Sequence, residues 1–375
     1  MNTLDAVVAG GGLIGASIAL ELAEAGLKVS LFDAREPGRE ASWASAGMIS
    51  PAPENADMIP FVPMSLASVA LYPEFIRRVE ELTGVYVGYR KSGALDVLLD
   101  GNVEEELSTV IALQHGVGLK ARALSAEQAR NMEPALTQEI QAAIFREDEA
   151  SLDTRRLTEA TLQAAARKGV HIVANTGAKA LWKSGKKCRG LILENGQVEA
   201  NWTIISAGCF SARIEGVAPY APVFPAKGQM LALRCEPLEL QHILWLEHKY
   251  LVPRIDGRII AGSTIERTGF DRDVTAGGVR LILQEVMKMV PALEQARIEE
   301  SWAGLRPDSP DHLPIIGPTD LAGLLIATGH FRSGILLAPI TARLIREWVT
   351  TQKVSVEWER LSPMRFLEAS QTQTA

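Results

Sequence analysis

Hydrophobic residues recur along the chain with two spacings, one typical of strands and the other of helices. Residues 6–9 form a short apolar run that ends in glycines, and Ile14, Ile18 and Leu22 follow at the spacing of one helix face. Gly26 lies where a helix C-cap is expected, and residues 29–32 form a second apolar run. These positions predict a strand, a helix and a second strand.

The same two spacings predict the elements of the remaining chain. Ser125 and Gln128 form a capping-box pattern, and Asn195-Gly196 between two apolar runs predicts a hairpin. Helices are predicted over residues 66–83, 103–115, 155–168 and 277–289, with a final helix that ends near residue 349. Strands are predicted over residues 95–99, 170–173, 190–193, 197–200, 202–208, 229–234, 250–253, 258–262 and 324–329.

This order of elements predicts an α/β protein (α+β overall), with a Rossmann-like domain and an inserted, mostly antiparallel domain. The βα character occurs in three separate pieces, assigned to residues 1–85, 146–218 and 300–375. Residues 86–145 carry no nucleotide signature, and the pattern after Pro219 becomes antiparallel. We therefore assign residues 86–145 and 219–299 to the second domain.

Gly10, Gly12 and Gly15 have the spacing of the dinucleotide-binding fingerprint, and Asp33 ends the next strand about 20 residues later. Gly10 permits a tight turn, Gly12 lets a pyrophosphate approach the backbone, and Gly15 lets the helix pack closely on the strand. The helix N-terminus favours an anion through its dipole and free N–H groups. Asp33 is expected to accept hydrogen bonds from a ribose diol and to disfavour NADP. The fingerprint predicts an adenine dinucleotide without choosing between NAD and FAD.

Composition and charge limit the classes of partner. The 375 residues are 47% hydrophobic and 22% charged with a net charge of −7, so no basic field favours nucleic acid or an anionic membrane. The scattered Cys188, Cys209 and Cys235 predict neither a disulfide framework nor a zinc site. No apolar run reaches the ~18 residues that a membrane helix needs. We expect a soluble, cytoplasmic protein with no membrane span and no metal.

Four further motifs accompany the fingerprint. They are Ala-Ser-Ala-Gly-Met at 44–48, Ile-Ser-Ala-Gly-Cys-Phe-Ser at 205–211, Trp-Ala-Gly-Leu-Arg-Pro at 302–307, and Gly-His-Phe-Arg-Ser-Gly-Ile-Leu-Leu-Ala-Pro at 329–339. Together they resemble the D-amino-acid oxidase family of flavoproteins, most closely its glycine oxidase branch, which is associated with thiamine thiazole synthesis. The resemblance covers about residues 4–349. It implies a Rossmann-like FAD-binding domain, and an antiparallel substrate domain over the flavin.

The resemblance also implies the substrate-binding residues. Arg306 matches the arginine that binds the substrate carboxylate, a role that suits the two parallel N–H donors of a guanidinium. Arg332 matches a second, supporting cation, and Tyr250 matches a pocket tyrosine whose hydroxyl helps to hold the carboxylate. His248 is expected on the same face as Tyr250 if this segment is a strand. Ile265 stands where the family has a methionine, so its stiff side chain is expected to change the pocket shape.

A second set of residues falls on the family's FAD-contact positions. The loop at 330–336 opens the final helix, and similar proteins direct such a helix N-terminus towards the flavin, where the dipole would stabilise developing negative charge. No cysteine lies in or near this loop, so the FAD is expected to be non-covalent. With the fingerprint glycines, the implied cofactor residues are Leu13, Ile14, Asp33, Ala34, Ala41, Ser42, Ala46, Gly47, Met48, Ala178, Gly329, His330, Phe331, Arg332, Ser333, Gly334, Ile335 and Leu336.

The implied reaction is flavin-dependent oxidative deamination of glycine, with sarcosine and small D-amino acids as further candidate substrates. A hydride passes from Cα to flavin N5, the imine is hydrolysed to a keto acid and ammonia, and oxygen becomes hydrogen peroxide. This route needs accurate placement but no obligatory side-chain base, so no catalytic side chain is assigned. The resemblance also implies a homo-oligomer, with a tetramer as one candidate.

Three alternatives remain open at this point. The first is a D-amino-acid or N-methyl-amino-acid dehydrogenase that passes electrons to a quinone or another carrier. The second is a flavin-bound protein that is non-catalytic or modifies tRNA, although the acidic charge argues against it. The third is an NAD-dependent dehydrogenase, which suits the first fingerprint but not the glycine loop near the C-terminus.

Overall fold

The computed structural model describes residues 4–53 and 56–367, and the predicted domain ends at 1–3 and 368–375 lie outside the described residues. The strands are β1 (Leu4–Ala9), β2 (Val29–Phe32), β3 (Met48–Ile49), β4 (Ala94–Leu98), β5 (Ala121–Ser125), β6 (Ala142–Arg146), β7 (Ala150–Ser151), β8 (His171–Val173), β9 (Ala178–Ser184), β10 (Lys187–Leu193), β11 (Gly196–Ile205), β12 (Phe224–Arg234), β13 (Ile243–Leu246), β14 (Lys249–Pro253), β15 (Ile259–Gly262), β16 (Arg297–Asp308), β17 (Ile315–Pro318) and β18 (Leu324–Thr328). The α-helices are α1 (Leu13–Glu24), α2 (Ala41–Ala44), α3 (Val62–Thr83), α4 (Val103–Gly116), α5 (Ala126–Met132), α6 (Thr154–Arg167), α7 (Ala276–Met289) and α8 (Gly334–Thr351).

The first sheet contains the N-terminal βαβ unit. Its strands lie in the order β17, β18, β11, β1, β2, β8, and all neighbours pair in parallel except β17 with β18. The antiparallel β9–β10 hairpin extends from the start of β11. Strands from three separate stretches of the chain therefore form one Rossmann-like sheet.

Both faces of the first sheet are buried. Ala6 and Val8 of β1 pack in the core that includes residues of α1, α3, α6 and α8, whereas Val7 and Ala9 pack against the β9–β10 side. This arrangement explains why β1 is a continuous apolar run rather than an alternating one.

The second sheet has the order β16, β12, β15, β14, β13, β4, β6, β5, and only β13 and β4 pair in parallel. Successive side chains of β14 point to opposite faces. Leu251 packs with the side that α7 covers, while Tyr250 and Val252 pack with Ala44 and Ala46 of the first half. The predicted inserted, mostly antiparallel sheet is thus present, with one face directed at the Rossmann-like half.

The predicted boundary at residue 300 needs a correction. β16 pairs with β12 along its length, with Met230 opposite Trp302 and Ala226 opposite Arg306, so residues 300–308 belong to the second sheet. A strand joins the sheet that contains its hydrogen-bonding partner, and that partner is distant in sequence. The other domain limits stay predictions.

One helical segment, Met58–Thr83, is long and apolar enough by length and composition to cross a membrane, contrary to our expectation from the sequence. In the fold its apolar side chains Tyr72, Phe75 and Val79 pack in the core of the first half. Ser68 Oγ and Tyr72 Oη also donate hydrogen bonds to the backbone carbonyls of α8. Tertiary packing therefore accounts for part of the apolar surface of this segment, of whose most apolar window 33% is buried.

Candidate active site

The fingerprint turn has the geometry that its glycines predict. Gly10 has φ of +106°, and a Cβ there would lie 2.5 Å from the Ser206 carbonyl oxygen on the neighbouring strand. A Cβ at Gly15 would overlap the Gly10 carbonyl oxygen, so α1 packs directly on the turn. Gly12 has an ordinary φ of −70°, and a Cβ there would meet only Ser42 Oγ within 4 Å. Gly12 therefore keeps space open rather than permitting an unusual backbone.

Asp33 and Ser42 hold the turn from opposite sides. Asp33 Oδ2 accepts a hydrogen bond of 2.7 Å from the Gly11 N–H, and its Oδ1 accepts one of 2.9 Å from Arg35 N–H. Ser42 Oγ accepts a hydrogen bond of 2.9 Å from the Leu13 N–H in the first turn of α1. Burial raises the pKa of Asp33 above its usual range, although the two backbone N–H groups oppose this shift.

A cavity of about 760 Å³ runs from the fingerprint turn to the second sheet. It brings together most of the residues that the sequence predicted for the site. The predicted residues in its lining are Gly10, Gly12, Ile14, Asp33, Ala34, Ala41, Ser42, Ala46, Met48, Ala178, His248, Tyr250, Arg306, His330, Phe331, Arg332, Ser333, Gly334, Ile335 and Leu336.

Five predicted residues lie outside the lining. Leu13 is the first residue of α1, and its side chain is buried in the core. Gly15 packs against the backbone of Gly10 in the fingerprint turn. A Cβ at Gly47 would overlap the Leu152 carbonyl oxygen, and one at Gly329 would lie 3.0 Å from Ile315, so both permit close packing beside the cavity. Ile265 is 51% exposed. The structure therefore contradicts the prediction of Ile265 as a pocket residue, because its side chain points to solvent while that of the neighbouring Thr264 is buried against Gln229 and Glu266.

Arg306 enters the cavity from β16 and is held by its neighbours. Its Nη2 donates a hydrogen bond of 2.8 Å to Ser263 Oγ, and its Nη1 donates one of 3.2 Å to the Thr264 carbonyl oxygen. A Cβ at Gly228 would overlap the guanidinium, so the absence of a side chain on β12 makes room for it. We did not identify Gly228 from the sequence, because its partner lies on a different strand.

The motif around Arg306 also contacts the cofactor half. Trp302, Gly304 and Arg306 alternate along β16 and therefore share one face. Trp302 Nε1 donates a hydrogen bond of 3.0 Å to the Ala44 carbonyl oxygen, and a Cβ at Gly304 would overlap the Ala44 side chain. The same face of β16 thus packs on α2 and presents Arg306 to the cavity.

Tyr250 and His248 differ in their placement. Tyr250 is buried on β14, packs edge-on against Trp245 with ring centroids 5.2 Å apart, and donates its hydroxyl to Met230 Sδ at 3.2 Å. His248 lies before β14 in the turn from β13 and is exposed at the cavity rim. The expectation that both occupy one strand face is wrong, because Glu247 and His248 form the turn.

The loop before α8 closes another side of the cavity. Phe331 N–H donates a hydrogen bond of 2.8 Å to the Pro307 carbonyl oxygen, which joins this loop to the end of β16. His330 is buried beside Thr341, and burial lowers the pKa of His330 to about 3, so its ring is neutral at ordinary pH. Arg332 also lines the cavity, as the resemblance implies. The first turn of α8 therefore faces the cavity with its N-terminus.

Comparison with known proteins gives the family. A model described as FAD dependent oxidoreductase matches residues 5–348. The chain belongs to this family of FAD-dependent oxidoreductases. Its fold is correspondingly similar to the crystal structure of glycine oxidase from Geobacillus kaustophilus, with a TM-score of 0.92 and 30% identity over 97% of this chain and 99% of that chain.

The relatives in this family fall into two length groups. The chain is 31% identical to a glycine oxidase from Geobacillus kaustophilus over 97% of each sequence. It is 35% identical to a bifunctional protein ThiO/ThiG from Synechocystis sp. over 98% of this chain and 54% of the relative. The chain thus spans about half the length of the bifunctional relatives that it matches.

The residues of the cavity fit the FAD of this family. Gly12 leaves open the space that a Cβ would fill beside the N-terminus of α1, where the pyrophosphate belongs. Asp33 lies at the end of β2 with a carboxylate that can accept hydrogen bonds from a ribose. Ala34 and Ala178 line the adjoining part of the cavity, and the first turn of α8 faces the other part. Among the described residues, no group of three or more histidine, cysteine, aspartate or glutamate side chains could hold a metal ion.

Proposed function

We propose that this protein catalyses the oxidative deamination of glycine, with sarcosine and small D-amino acids as further substrates. The products are the keto acid, ammonia and hydrogen peroxide. The observation that carries the proposal is the Arg306 guanidinium, which stands in the cavity over Gly228 and opposite the cofactor half. The glycine oxidase from Geobacillus kaustophilus, which aligns with this chain over nearly its whole length in both sequence and structure, supports the same assignment.

The residues of the chain bind and orient the amino acid. Arg306 offers planar N–H donors that suit a carboxylate. Within the described part of the chain, the Tyr250 hydroxyl donates to the Met230 thioether sulfur, which is a weak acceptor, so it can turn to a carboxylate oxygen. His330 is neutral and therefore adds no charge beside the first turn of α8. The dipole of α8 can stabilise negative charge in the cavity.

FAD, when bound, would supply a hydride acceptor that oxygen can reoxidise. The chain supplies a cavity with Arg306 at one end for the carboxylate, and the packing of α2 against β16 joins this end to the cofactor half. We assign no side chain as an acid or base, because hydride transfer from the Cα of an amino acid whose amine is neutral needs placement rather than proton abstraction from carbon.

A role in thiamine thiazole synthesis forms part of the proposal. The relatives named ThiO/ThiG join a region like this chain to a second region of similar length. We also propose a cytoplasmic homo-oligomer, on the sequence resemblance alone. Size-exclusion chromatography with light scattering measures the oligomeric state.

An absorption spectrum of the purified protein tests the proposal. We expect a flavin spectrum that bleaches when glycine is added anaerobically and recovers in air with formation of peroxide. Flavin that is released by acid precipitation would support non-covalent FAD. Bleaching without recovery in air would instead support the alternative dehydrogenase, which uses a quinone or another carrier. A flavin that no amino acid bleaches would contradict the proposed function.

A further inference from the structure

The cavity continues beyond Tyr250 along one face of the second sheet. Tyr250 on β14 pairs directly with Trp245 on β13, and Trp245 pairs directly with Asp96 on β4. Direct cross-strand partners share a face, and all three side chains line the cavity. Two strand spacings place Asp96 roughly 10 Å from Tyr250. This distance is far greater than glycine spans.

A buried charged cluster lies at this distal end. Arg146 forms ion pairs with Asp96 and with Glu149, whose nearest oxygen is 3.4 Å from Arg146 Nη1. Glu149 is 1% exposed and also accepts hydrogen bonds from Ser50 Oγ at 2.7 Å and Trp245 Nε1 at 3.4 Å. Asp96 and Arg146 line the cavity itself, while Glu149 lies outside the lining and bonds to Arg146 and Trp245.

The buried cluster holds more carboxylates than cations. Asp96 and Glu149 both pair with the same cation, Arg146. The cavity rim carries both signs, because Glu247 lies there and Lys249 and Lys288 lie near it. Partial burial raises the pKa of Glu106, which is largely exposed on α4, and the negative charges of Asp96, Glu247 and Asp100 raise it further. The distal end therefore differs from the Arg306 end by the carboxylates that surround Arg146.

Apolar side chains line the path between the two ends. Trp245 stands between Tyr250 and Asp96, and Val110 and Leu113 of α4 contribute further apolar surface. A substituent with a methylene stem and a cationic head suits such a path, because the stem packs on apolar groups and the head reaches the carboxylates. The indole of Trp245 is also an attractive surface for a cation.

We propose that the distal end, formed by Asp96, Arg146 and Trp245, is a subsite for the positively charged end of a substrate substituent. The ligand class is an amino acid whose side chain or N-substituent ends in an ammonium or guanidinium group. The inference rests on the proposed function, because Arg306 must hold the carboxylate at the other end. Glycine and sarcosine leave this subsite unfilled.

Comparison of D-lysine with D-norleucine tests the subsite, because the two differ only in the terminal ammonium group. We expect kcat/KM of the holoenzyme to be at least about tenfold higher for D-lysine. Asp96→Asn should lower the ratio of kcat/KM for D-lysine to kcat/KM for D-norleucine about tenfold. Glu127→Gln removes one exposed carboxylate on α5 and should leave the ratio within about twofold.

A second variant, Glu106→Gln, gives a result even if Asp96→Asn fails to fold. Glu106 is exposed on α4, so Glu106→Gln should fold normally and lower the same ratio about two- to threefold by removing nearby charge. An enzyme that oxidises glycine but uses D-norleucine as well as D-lysine would overturn the subsite and leave the proposed function intact. If the ratio of kcat/KM for D-lysine to that for D-norleucine is unchanged in both Asp96→Asn and Glu106→Gln, the subsite is likewise overturned and the proposed function stands. A flavin that no amino acid reduces would overturn both proposals.

Discussion

The two sides of the cavity are built in different ways. On the cofactor side, Gly10, Gly12, Gly15 and Asp33 belong to one continuous βαβ unit, and Gly10, Gly15 and Asp33 contact backbone atoms of that unit or of the segment that follows β11. On the substrate side, Arg306 depends on Gly228 and Ser263, which come from elsewhere in the chain. A local motif defines the first side, whereas strand pairing defines the second.

Glycine makes room on both sides, but for different groups. At Gly15 the missing side chain admits a backbone carbonyl, and at Gly228 it admits the guanidinium of Arg306. A substitution on the cofactor side should therefore damage the fold and FAD binding together. A substitution on the substrate side should impair catalysis while FAD remains bound.

The largest effect is expected from Gly15→Ala. The added methyl group would overlap the Gly10 carbonyl oxygen and press on Ser206 Oγ, and neither can move without disturbing β1 or β11. We expect a loss of stability of more than about 3 kcal/mol and little bound FAD. Thermal unfolding and flavin content measure both. Gly116→Ala in α4, where no heavy atom lies within 4 Å of the new Cβ, should change stability by less than about 1 kcal/mol.

Arg306→Ala should reduce kcat/KM for glycine roughly 30- to 5,000-fold, mainly through a higher KM, while the FAD content is retained. The reason is the loss of a charge-assisted pair between the half-buried guanidinium and the substrate carboxylate. Steady-state peroxide formation measures the change. Arg297→Ala removes an exposed arginine from the same strand and is the matched control. Near-normal kcat/KM for Arg306→Ala would refute its role.

Gly228→Ala tests the same guanidinium without removing it. The new methyl group would occupy the space of Arg306 and displace it, and a displacement of about 1 Å can reduce kcat/KM roughly 100-fold. Flavin titration should show unchanged FAD affinity. Gly277→Ala, which meets no heavy atom within 4 Å, should behave like the unmodified protein. A loss of FAD from Gly228→Ala would contradict the separation of the two sides.

Asp33→Asn should weaken FAD binding about 5- to 30-fold, which corresponds to roughly 1–2 kcal/mol for lost hydrogen bonds to the ribose. Because burial raises the pKa of Asp33, its carboxylate takes up a proton at a higher pH than an exposed aspartate does. FAD affinity of the unmodified protein should therefore fall as the pH decreases through this raised pKa. Fluorescence titrations from pH 7 downward should show this fall, and Asp33→Asn should lack it.

The smallest effect is expected from Ile265→Ala. Because this side chain is half exposed and lies outside the cavity lining, kcat/KM for glycine should change less than about twofold. Substrate preference between glycine and sarcosine should also be retained. A marked shift in that preference would restore Ile265 to the pocket and would show that the loop closes when substrate binds.

Several local features could be predicted from the sequence because they depend on neighbouring residues. The capping box at Ser125 is confirmed, and the helix predicted over 155–168 is α6, where Asp153 accepts hydrogen bonds from the N–H groups of Arg155 and Arg156. The prediction that His248 lies on a strand was wrong. Glu247 and His248 form a short turn between β13 and β14, and their residue types do not distinguish such a turn from the end of a strand. The cluster of Asp96, Arg146 and Glu149 has no local signal, because Asp96 comes from a different strand.

The sequence by itself determined the dinucleotide-binding turn and the periodicity of the main helices and strands, because both rest on local backbone sterics and side-chain spacing. The proposed role of Arg306 came from the resemblance to a known family and stays a prediction. The tertiary structure decided that β16 joins the second sheet, that Gly228 makes room for Arg306, and that Asp96 lies in line with Tyr250. Those facts depend on which distant strands exchange hydrogen bonds, and strand register alone fixes which side chains share a face.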